Sequence, residues 1–407
     1  MKKRVLLFIL CVLTLALSLC LFTACDIEDL ITGSNDDSEN GGGTTNGGTT
    51  DGGTTDGGTT GGGTTNGGTT DDGTTGSGTG TNDGSPTENS GNQTTYKRNG
   101  NKISFGSYPQ TEVTDNTLKA TLTNKSGTLP TSENAQSWTS YEYYIEGIAS
   151  NYMWYIDIEV GEEKYRGVYF TSYRPFYTSA SNASTHQVNN GYTTGTVYWF
   201  RYEPIIWTIF SENTDDKTAL VLCDMIIDSQ AYQNEYEKQN GKNYNTSSGV
   251  PSGTYANNYA KSTIRKWLNE TFYNTAFSEL QKQIILTTTT NNSESSTGYS
   301  PNLYVCENTE DKIFLLSYED VTNSNYGFSL DYDEIKQKKS TDYAKSQGLV
   351  THSNGPYAGC GVWWLRSPGG GFNYSNRAFG IGYGGYIDDD AVDVNRRGIV
   401  PALQLKL

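Results

Sequence analysis

Trp363-Trp364-Leu365-Arg366-Ser367-Pro368 opens the closing block of this chain, Gly398-Ile399-Val400-Pro401-Ala402-Leu403 ends it, and about thirty residues rich in Gly, Tyr, Asn, Asp and Arg lie between. Adjacent residues of a strand face opposite sides, so at least one of Trp363 and Trp364 belongs to a core. Inside the block the apolar residues Ala378, Ile381, Ile387, Val392, Val394 and Val400 alternate irregularly with polar and aromatic ones. Mixed even and odd spacings predict short strands and turns, with Gly382, Gly384 and Gly385 supplying backbone freedom. Tyr offers large contact area at low entropy cost, and Ser, Gly and Asn offer adaptable hydrogen bonding, the composition of loops selected for binding. The block therefore divides into a scaffold, Ala378, Ile381, Ile387, Val392 and Val400, and a ligand-contacting set, Tyr374, Asn376, Phe379, Tyr383, Tyr386, Asp388, Asp390, Asp393 and Asn395. The plainer reading is a Gly-rich β-meander with a wet face.

Working outward, residues 166–171, 204–210, 218–223, 312–316, 362–365 and 399–405 are strand-like, rich in aromatic and β-branched residues. Ile264, Trp267, Leu268 and Phe272 fall on one helical face, and Ser278 with Gln281 forms a capping box ahead of Ile284 and Ile285. A short third helix is predicted over 342–347, with Thr341 as N-cap and Gly348 just beyond its end. Segments 171–196 and 240–258 read as long surface insertions. Mixed strands, few helices and long loops predict an α+β fold.

The amino-terminal part is of a different kind. Lys2, Lys3 and Arg4 precede an apolar run over 5–22, closed by Leu21-Phe22-Thr23-Ala24-Cys25, which is the form of a secretory signal. It resembles a bacterial lipobox, although Phe22 departs from the usual Leu; the resemblance implies a signal peptide over 1–24 and a lipid-bearing Cys25 that anchors the chain in the cell envelope, facing either the periplasm or the outside. From about residue 40 to 75 the chain repeats Gly-Gly-Thr-Thr followed by Asn, Asp or Gly, and low complexity continues to about residue 95. With almost nothing apolar to bury, residues 25–95 are expected to be a disordered tether. Roughly 70 such residues have a mean reach of ~45 Å. Residues 96–407 are expected to form one globular domain.

Composition excludes several functions. A formal charge of -16, more negative still once the three basic residues of the signal leave, is a poor match for nucleic acid or anionic lipid. Beyond Cys25 only Cys223, Cys306 and Cys360 remain, too few for a disulfide framework. With two histidines, His186 and His352, a three-histidine metal site is impossible. Asp388, Asp389, Asp390, Asp393 and Asn395 could offer oxygen ligands to calcium, but they lack the spacing of an EF-hand and read better as a solvated acidic face. No cofactor is expected. No pattern singles out an acid and a base for glycoside hydrolysis.

Six separated motifs carry a resemblance: Phe105-Gly106-Ser107-Tyr108-Pro109-Gln110, Glu203-Pro204-Ile205-Ile206-Trp207, Ser262-Thr263-Ile264-Arg265-Lys266-Trp267-Leu268, Phe314-Leu315-Leu316-Ser317, Trp364-Leu365-Arg366-Ser367-Pro368 and Val400-Pro401-Ala402-Leu403. Through them the region 104–407 resembles a family of uncharacterised bacterial lipoprotein domains, which brings no activity with it. The closing block is similar in layout to the variable proteins of diversity-generating retroelements, including those of treponemes. That resemblance implies a C-type-lectin-like fold of the formylglycine-generating-enzyme type and a hypervariable C-terminal surface over 369–399. Mutation of adenines in Asn codons does not readily yield Lys, Glu, Gln, Met or Trp, and none of the five occurs between Gly369 and Ile399. The function expected is ligand binding by an envelope lipoprotein, toward a protein or glycan; a cell-envelope hydrolase acting on glycan or peptide and a structural envelope protein are the alternatives.

Overall fold

A computed structural model describes residues 88–89, 93–142, 149–174, 186–329, 332–370 and 374–407. The signal segment, Cys25 and nearly all of the Gly/Thr-rich stretch lie outside the described residues. None of the described helices is long and apolar enough to cross a membrane.

The fold is mixed α+β, with two curled, partly open antiparallel sheets and several helices. The first sheet begins with β1 (Lys97–Asn99) and β2 (Lys102–Glu112). After helix α1 (Asn116–Ser126) come β3 (Thr139–Glu142), β4 (Ala149–Val160), β5 (Glu163–Phe170), β6 (Val197–Asn213) and β7 (Thr218–Cys223). The long β6 organises it. One edge of β6 pairs with β2, from Lys102↔Thr208 to Glu112↔Phe200. Its other edge pairs first with β5, through Tyr169↔Val197 to Tyr165↔Arg201, and then with β7, from Trp207↔Cys223 to Asn213↔Thr218. One strand serving two successive partners on one edge forces the sheet to curl.

The second sheet contains β8 (Asp228–Ser229), β9 (Trp363–Pro368), β10 (Arg377–Ile381), β11 (Ile387–Ala391) and β12 (Gly398–Ile399), in the order β8-β12-β9-β10-β11. Its pairs are antiparallel apart from β9 with β12. The last strand, β13 (Ala402–Lys406), leaves this sheet and pairs with β7 of the first. Residues 399–405 are thus two strands, correcting the single strand expected there. Proline has no N–H to donate to a ladder, and Pro401 sits at the crossing, where its carbonyl accepts from Cys223 N at 2.9 Å. Val400-Pro401-Ala402-Leu403 is the hinge between the sheets, with Val400, Ala402 and Leu403 fully buried.

The helical expectations hold. Ser262 caps α2, which runs Thr263–Trp267, passes through a π-turn at Leu268–Phe272 and ends as Tyr273–Ala276. Ile264, Leu268 and Phe272 are buried. Asn269 sits in the π-turn, where its side-chain amide donates to the carbonyls of Arg265 (3.0 Å) and Ile313 (2.9 Å). Ser278 and Gln281 form the capping box of α3 (Glu279–Lys282), and Thr341 caps α4 (Asp342–Ser346). Residues 312–316 are no strand: only Phe314 makes a ladder contact, with Ala402. Segment 240–258 is no loose insertion either. It continues a hairpin of Tyr236–Gln239 with Lys242–Asn245 and buries Asn243, Asn245, Ala256 and Asn257.

Trp207, Trp363 and Trp364 are all fully buried in one large core, so both tryptophans of the opening motif are structural. Cys223 and Cys360 are buried free thiols and Cys306 is a half-buried one. Burial raises Cys223 to about 12 and Cys306 to about 11, which leaves both as poor nucleophiles.

Candidate functional site

The closing block builds the hairpin β10–β11, paired from Arg377↔Ala391 to Ile381↔Ile387. At its tip Gly382 N donates to the Tyr386 carbonyl (2.8 Å) and Gly385 N to the Gly382 carbonyl (2.9 Å). Gly385 has φ +85° and lies against the backbone of Asp333, so a side chain there would be both strained and blocked. A rigid turn therefore presents Tyr383 and Tyr386.

These two rings join three from elsewhere in the chain. His352 lies 4.4 Å from Tyr383, centroid to centroid; Tyr357 is 5.8 Å from Tyr383; and Tyr332 is 5.7 Å from Tyr386. Tyr383 and Tyr386 meet edge to face at 6.0 Å. Tyr332 is 69% exposed, and the other four rings are half-buried. His352 is further fixed by Nδ1, 2.6 Å from the Asn354 carbonyl. The result is an open aromatic face on a braced turn. Tyr332, His352 and Tyr357 were not recognised from sequence, since nothing local ties them to residues 383–386.

The remaining expected contact residues divide. Tyr374 is 42% exposed, with the Arg377 guanidinium 5.7 Å from its ring. Asn376 is half-buried and donates to the Tyr236 hydroxyl at 3.3 Å. Asp388 keeps partial exposure, whereas Phe379, Asp390, Asp393 and Asn395 are buried. Phe379 turns inward because Tyr299 stacks on it at 5.6 Å and Tyr318 packs at 5.2 Å, covering the second face of β10. The scaffold residues Ala378, Ile381, Val392 and Val400 are fully buried and Ile387 is half-buried; Val394, beside them in the sequence, is fully buried too. Segment 240–258 braces the block: Asn257 Nδ2 donates to the carbonyls of Tyr374 (2.7 Å) and Arg377 (3.0 Å), and Asn243 N to Ser375 Oγ (2.8 Å).

The three consecutive aspartates are arginine partners rather than a solvated face. Alternation along β11 sends Asp388 and Asp390 to one side. There Arg397 reaches Asp388 through Nη2 (2.9 Å) and Asp390 through Nε (3.1 Å), and Arg396 adds a second contact to Asp390 at 2.8 Å. Asp389, on the other side, accepts from Arg377 Nε at 2.7 Å. Burial works against the Arg397 charge, yet Asp388 and Asp390 hold its pKa above the ordinary value. Among the described residues no three or more His, Cys, Asp or Glu side chains gather as a metal site.

A second concave feature, a cleft of about 350 Å³, lies between the first sheet, α2 and β8. Arg166 of β5 forks onto Asp157 with two 2.8 Å bonds, and its guanidinium lies 4.2 Å from the Tyr155 ring. The Tyr141 and Tyr343 hydroxyls are 3.0 Å apart, and burial pushes Tyr343 up to about 12. Asp228 accepts from Tyr108 Oη (2.7 Å), its neighbour Ser229 N (2.6 Å) and Gln230 Nε2 (3.1 Å). Burial still raises the Asp228 carboxyl above its usual range, outweighing those donors and Arg174. The folded state thus holds this proton more tightly than the unfolded chain does. Its contribution to stability is full below the unfolded carboxylate pKa and falls as pH rises from there through the folded value. Asp228→Asn, which keeps an acceptor for Ser229 N, is expected to flatten the stability profile as pH rises above the ordinary carboxylate range near about pH 4. Urea unfolding at rising pH checks this, and an unchanged slope would refute it.

Residues 216–407, less than half of the chain, are similar to a family described as Domain of unknown function (DUF6273). No curated protein and no solved structure matches the chain. The matched region begins just ahead of β7 and contains α2, the whole second sheet and the aromatic face, while β1 to β6 fall outside it.

Proposed function

We propose that this chain is a lipid-anchored envelope protein that binds a protein or glycan partner through the aromatic face at the tip of the β10–β11 hairpin. The observation that carries the reading is the cluster of Tyr332, His352, Tyr357, Tyr383 and Tyr386, partly open to solvent on a turn fixed by Gly382 and Gly385. Rigid aromatic rings with polar tips lose little entropy on binding and dominate interface energetics. The anchor is Cys25 at the lipobox-like motif, and the Gly/Thr-rich stretch is its tether. The C-type-lectin-like form of the α+β fold and the diversification of 369–399 belong to the same proposal. They rest on the motif order and on the absence of Lys, Glu, Gln, Met and Trp from the segment. A template repeat matching this stretch and a reverse-transcriptase gene nearby are expected in the genome; a genome with neither removes the diversification part.

The test of binding uses the full-length chain against intact bacterial and host cells. Tyr357→Ala, Tyr383→Ala and Tyr386→Ala together are expected to weaken saturable binding by roughly 10- to 100-fold. Circular dichroism should be unchanged, since these rings are not in the core. Undiminished binding by a folded triple variant would sink the proposal. The hydrolase reading stands second, because Asp228, the buried carboxylate of the cleft, is already engaged by three donors.

A further inference from the structure

We propose that Lys338 is a nucleophilic amine in a surface pocket, and that the pocket takes a small aldehyde with an apolar body, which Lys338 captures as an imine. The inference does not depend on the aromatic face. Lys338 and Lys339 form a two-residue ladder with Cys360 and Gly361, in which Lys338 pairs with Gly361. The backbone is pinned on both sides of it: the Lys336 carbonyl accepts from Trp363 Nε1 at 3.0 Å, and the Lys339 carbonyl accepts from Ile226 N at 2.9 Å. A fixed segment thus carries the side chain. Lys338 lines a pocket of about 620 Å³, whose other walls come from the start of β2, from β6, from Asp224 just after β7 and from residues 325–327. That volume is ordinary for a small-molecule site.

Lys338 is buried without a partner. Only 6% of the residue is exposed, and among the described residues no group accepts a hydrogen bond from its Nζ. Nζ is open to solvent all the same, whereas the amide of Asn395 is sealed. Asp224, in the same pocket, is already engaged: Oδ2 accepts from Lys102 Nζ at 2.5 Å, and Oδ1 accepts from the Thr208 hydroxyl. A buried ammonium without a partner is costly, so this amine sheds its proton more readily than an exposed one. Burial first, and the Lys102 charge with it, hold the Lys338 pKa below the ordinary amine value, against the opposing pull of Asp224 and Cys223. A lysine desolvated beside a second cation is one of the ways in which an amine becomes a nucleophile near neutral pH.

The lone pair of Nζ forms the C–N bond at the carbonyl carbon while the C=O π pair moves to oxygen. In the net balance that oxygen takes both protons of the neutral amine and leaves as water, so that C=N replaces C=O and no further reactant is consumed. The Lys102 ammonium, in the same pocket, stabilises the negative charge that develops on this oxygen. With so little of Lys338 exposed, the single carbon substituent of an aldehyde approaches Nζ more easily than the two of a ketone. Ile209, Phe210, Tyr326 and Ile335 supply apolar surface for the rest of the ligand.

The test treats the full-length chain at neutral pH with limiting benzaldehyde and cyanoborohydride, which fixes any imine as a secondary amine, and peptide mass spectrometry then gives the rate at each lysine. Lys338 is expected to be labelled about 10-fold faster than the exposed Lys97, Lys125 and Lys217, the effect of roughly one unit of pKa on the neutral fraction. Lys102→Gln supplies the second readout. It removes the neighbouring cation and frees Asp224 Oδ2 to hold the Lys338 proton, so labelling of Lys338 should fall by about 10-fold, to the level of the exposed lysines. A lysine that was merely accessible would not respond in this way. Labelling of Lys338 no faster than that of the exposed lysines, or undiminished labelling in a folded Lys102→Gln chain, would each overturn the proposal. The first comparison is made within the unaltered chain, so it stays decisive even if Lys102→Gln fails to fold.

Discussion

Arg397→Met is expected to destabilise the protein by about 3 kcal/mol, because removing one member of a buried charge cluster leaves its partners uncompensated. Only 5% of the Arg397 side chain is exposed, and it alone links Asp388 to Asp390 while lying 5.3 Å from the Trp364 ring. The estimate sits at the low end for such losses, since 32% of the Asp388 side chain stays in contact with water and Asp390 keeps Arg396. Gly380 shows how closely this guanidinium is fitted: a side chain at position 380 would collide with Arg397 Nη1 and with the Trp363 carbonyl. Arg396 makes the useful contrast. Its side chain is 31% exposed and contacts the same Asp390, so Arg396→Ala should cost no more than about 1 kcal/mol. Urea unfolding of both variants decides the matter, and equal losses would show that the cluster is not organised around Arg397. Because β11 leads straight from the tip, Arg397→Met should also weaken binding at the aromatic face.

Much of the frame was legible where a local rule dominates. The cap residues Ser262, Ser278 and Thr341 and the strand 218–223, apolar after Thr218, are set by neighbouring residues, and they emerge as read. Strand β2 escaped because its ladder with β6 shifts register between Ser104 and Ser107 and again between Pro109 and Glu112, which breaks the two-residue alternation. Gly106 lies at the first shift with φ +75° and packs so closely on Phe277 that no side chain fits. Helix α1 escaped for another reason: Leu118 and Leu122 are its only large apolar residues, and Leu122 alone is fully buried. At the site, the apolar scaffold was readable from its spacing. The burial of Phe379 was not, since Tyr299 and Tyr318 cover it from a distant segment. The pairing of Asp388, Asp389 and Asp390 did have a signal, in Arg377, Arg396 and Arg397 of the same block. Without those arginines the same three aspartates would form a solvated face.

Arg366→Ala is expected to cost about 3–5 kcal/mol, the range for breaking a buried, hydrogen-bonded charge pair. This arginine explains why Trp364-Leu365-Arg366-Ser367-Pro368 is more than a strand. From β9 its Nη1 donates to the Leu315 carbonyl (2.8 Å) and to Asp320 (2.6 Å), and Nη2 donates to the Asn291 carbonyl (3.2 Å). Ser367 continues the seam, accepting from Tyr318 N at 2.9 Å and donating to the Ser296 carbonyl at 3.0 Å. Two segments that carry little regular structure are thereby clipped to the central strand. Asp320 has a second duty, since its carboxylate accepts from Ser317 N at 2.8 Å in the cap of the short helix Tyr318–Val321. Losing Arg366 would strand a carboxylate that the cap also needs, and the Tyr318 and Tyr299 rings that cover Phe379 lie in the loosened segments. Arg366→Lys retains the charge but not the planar fork, and a lysine cannot serve two carbonyls and a carboxylate in this geometry. It should therefore recover less than half of the lost stability in urea unfolding. Limited proteolysis of either variant should show new cleavage within residues 291–321, and a lysine variant as stable and as resistant as the parent would show that charge alone, rather than the three-way clip, holds this part of the fold.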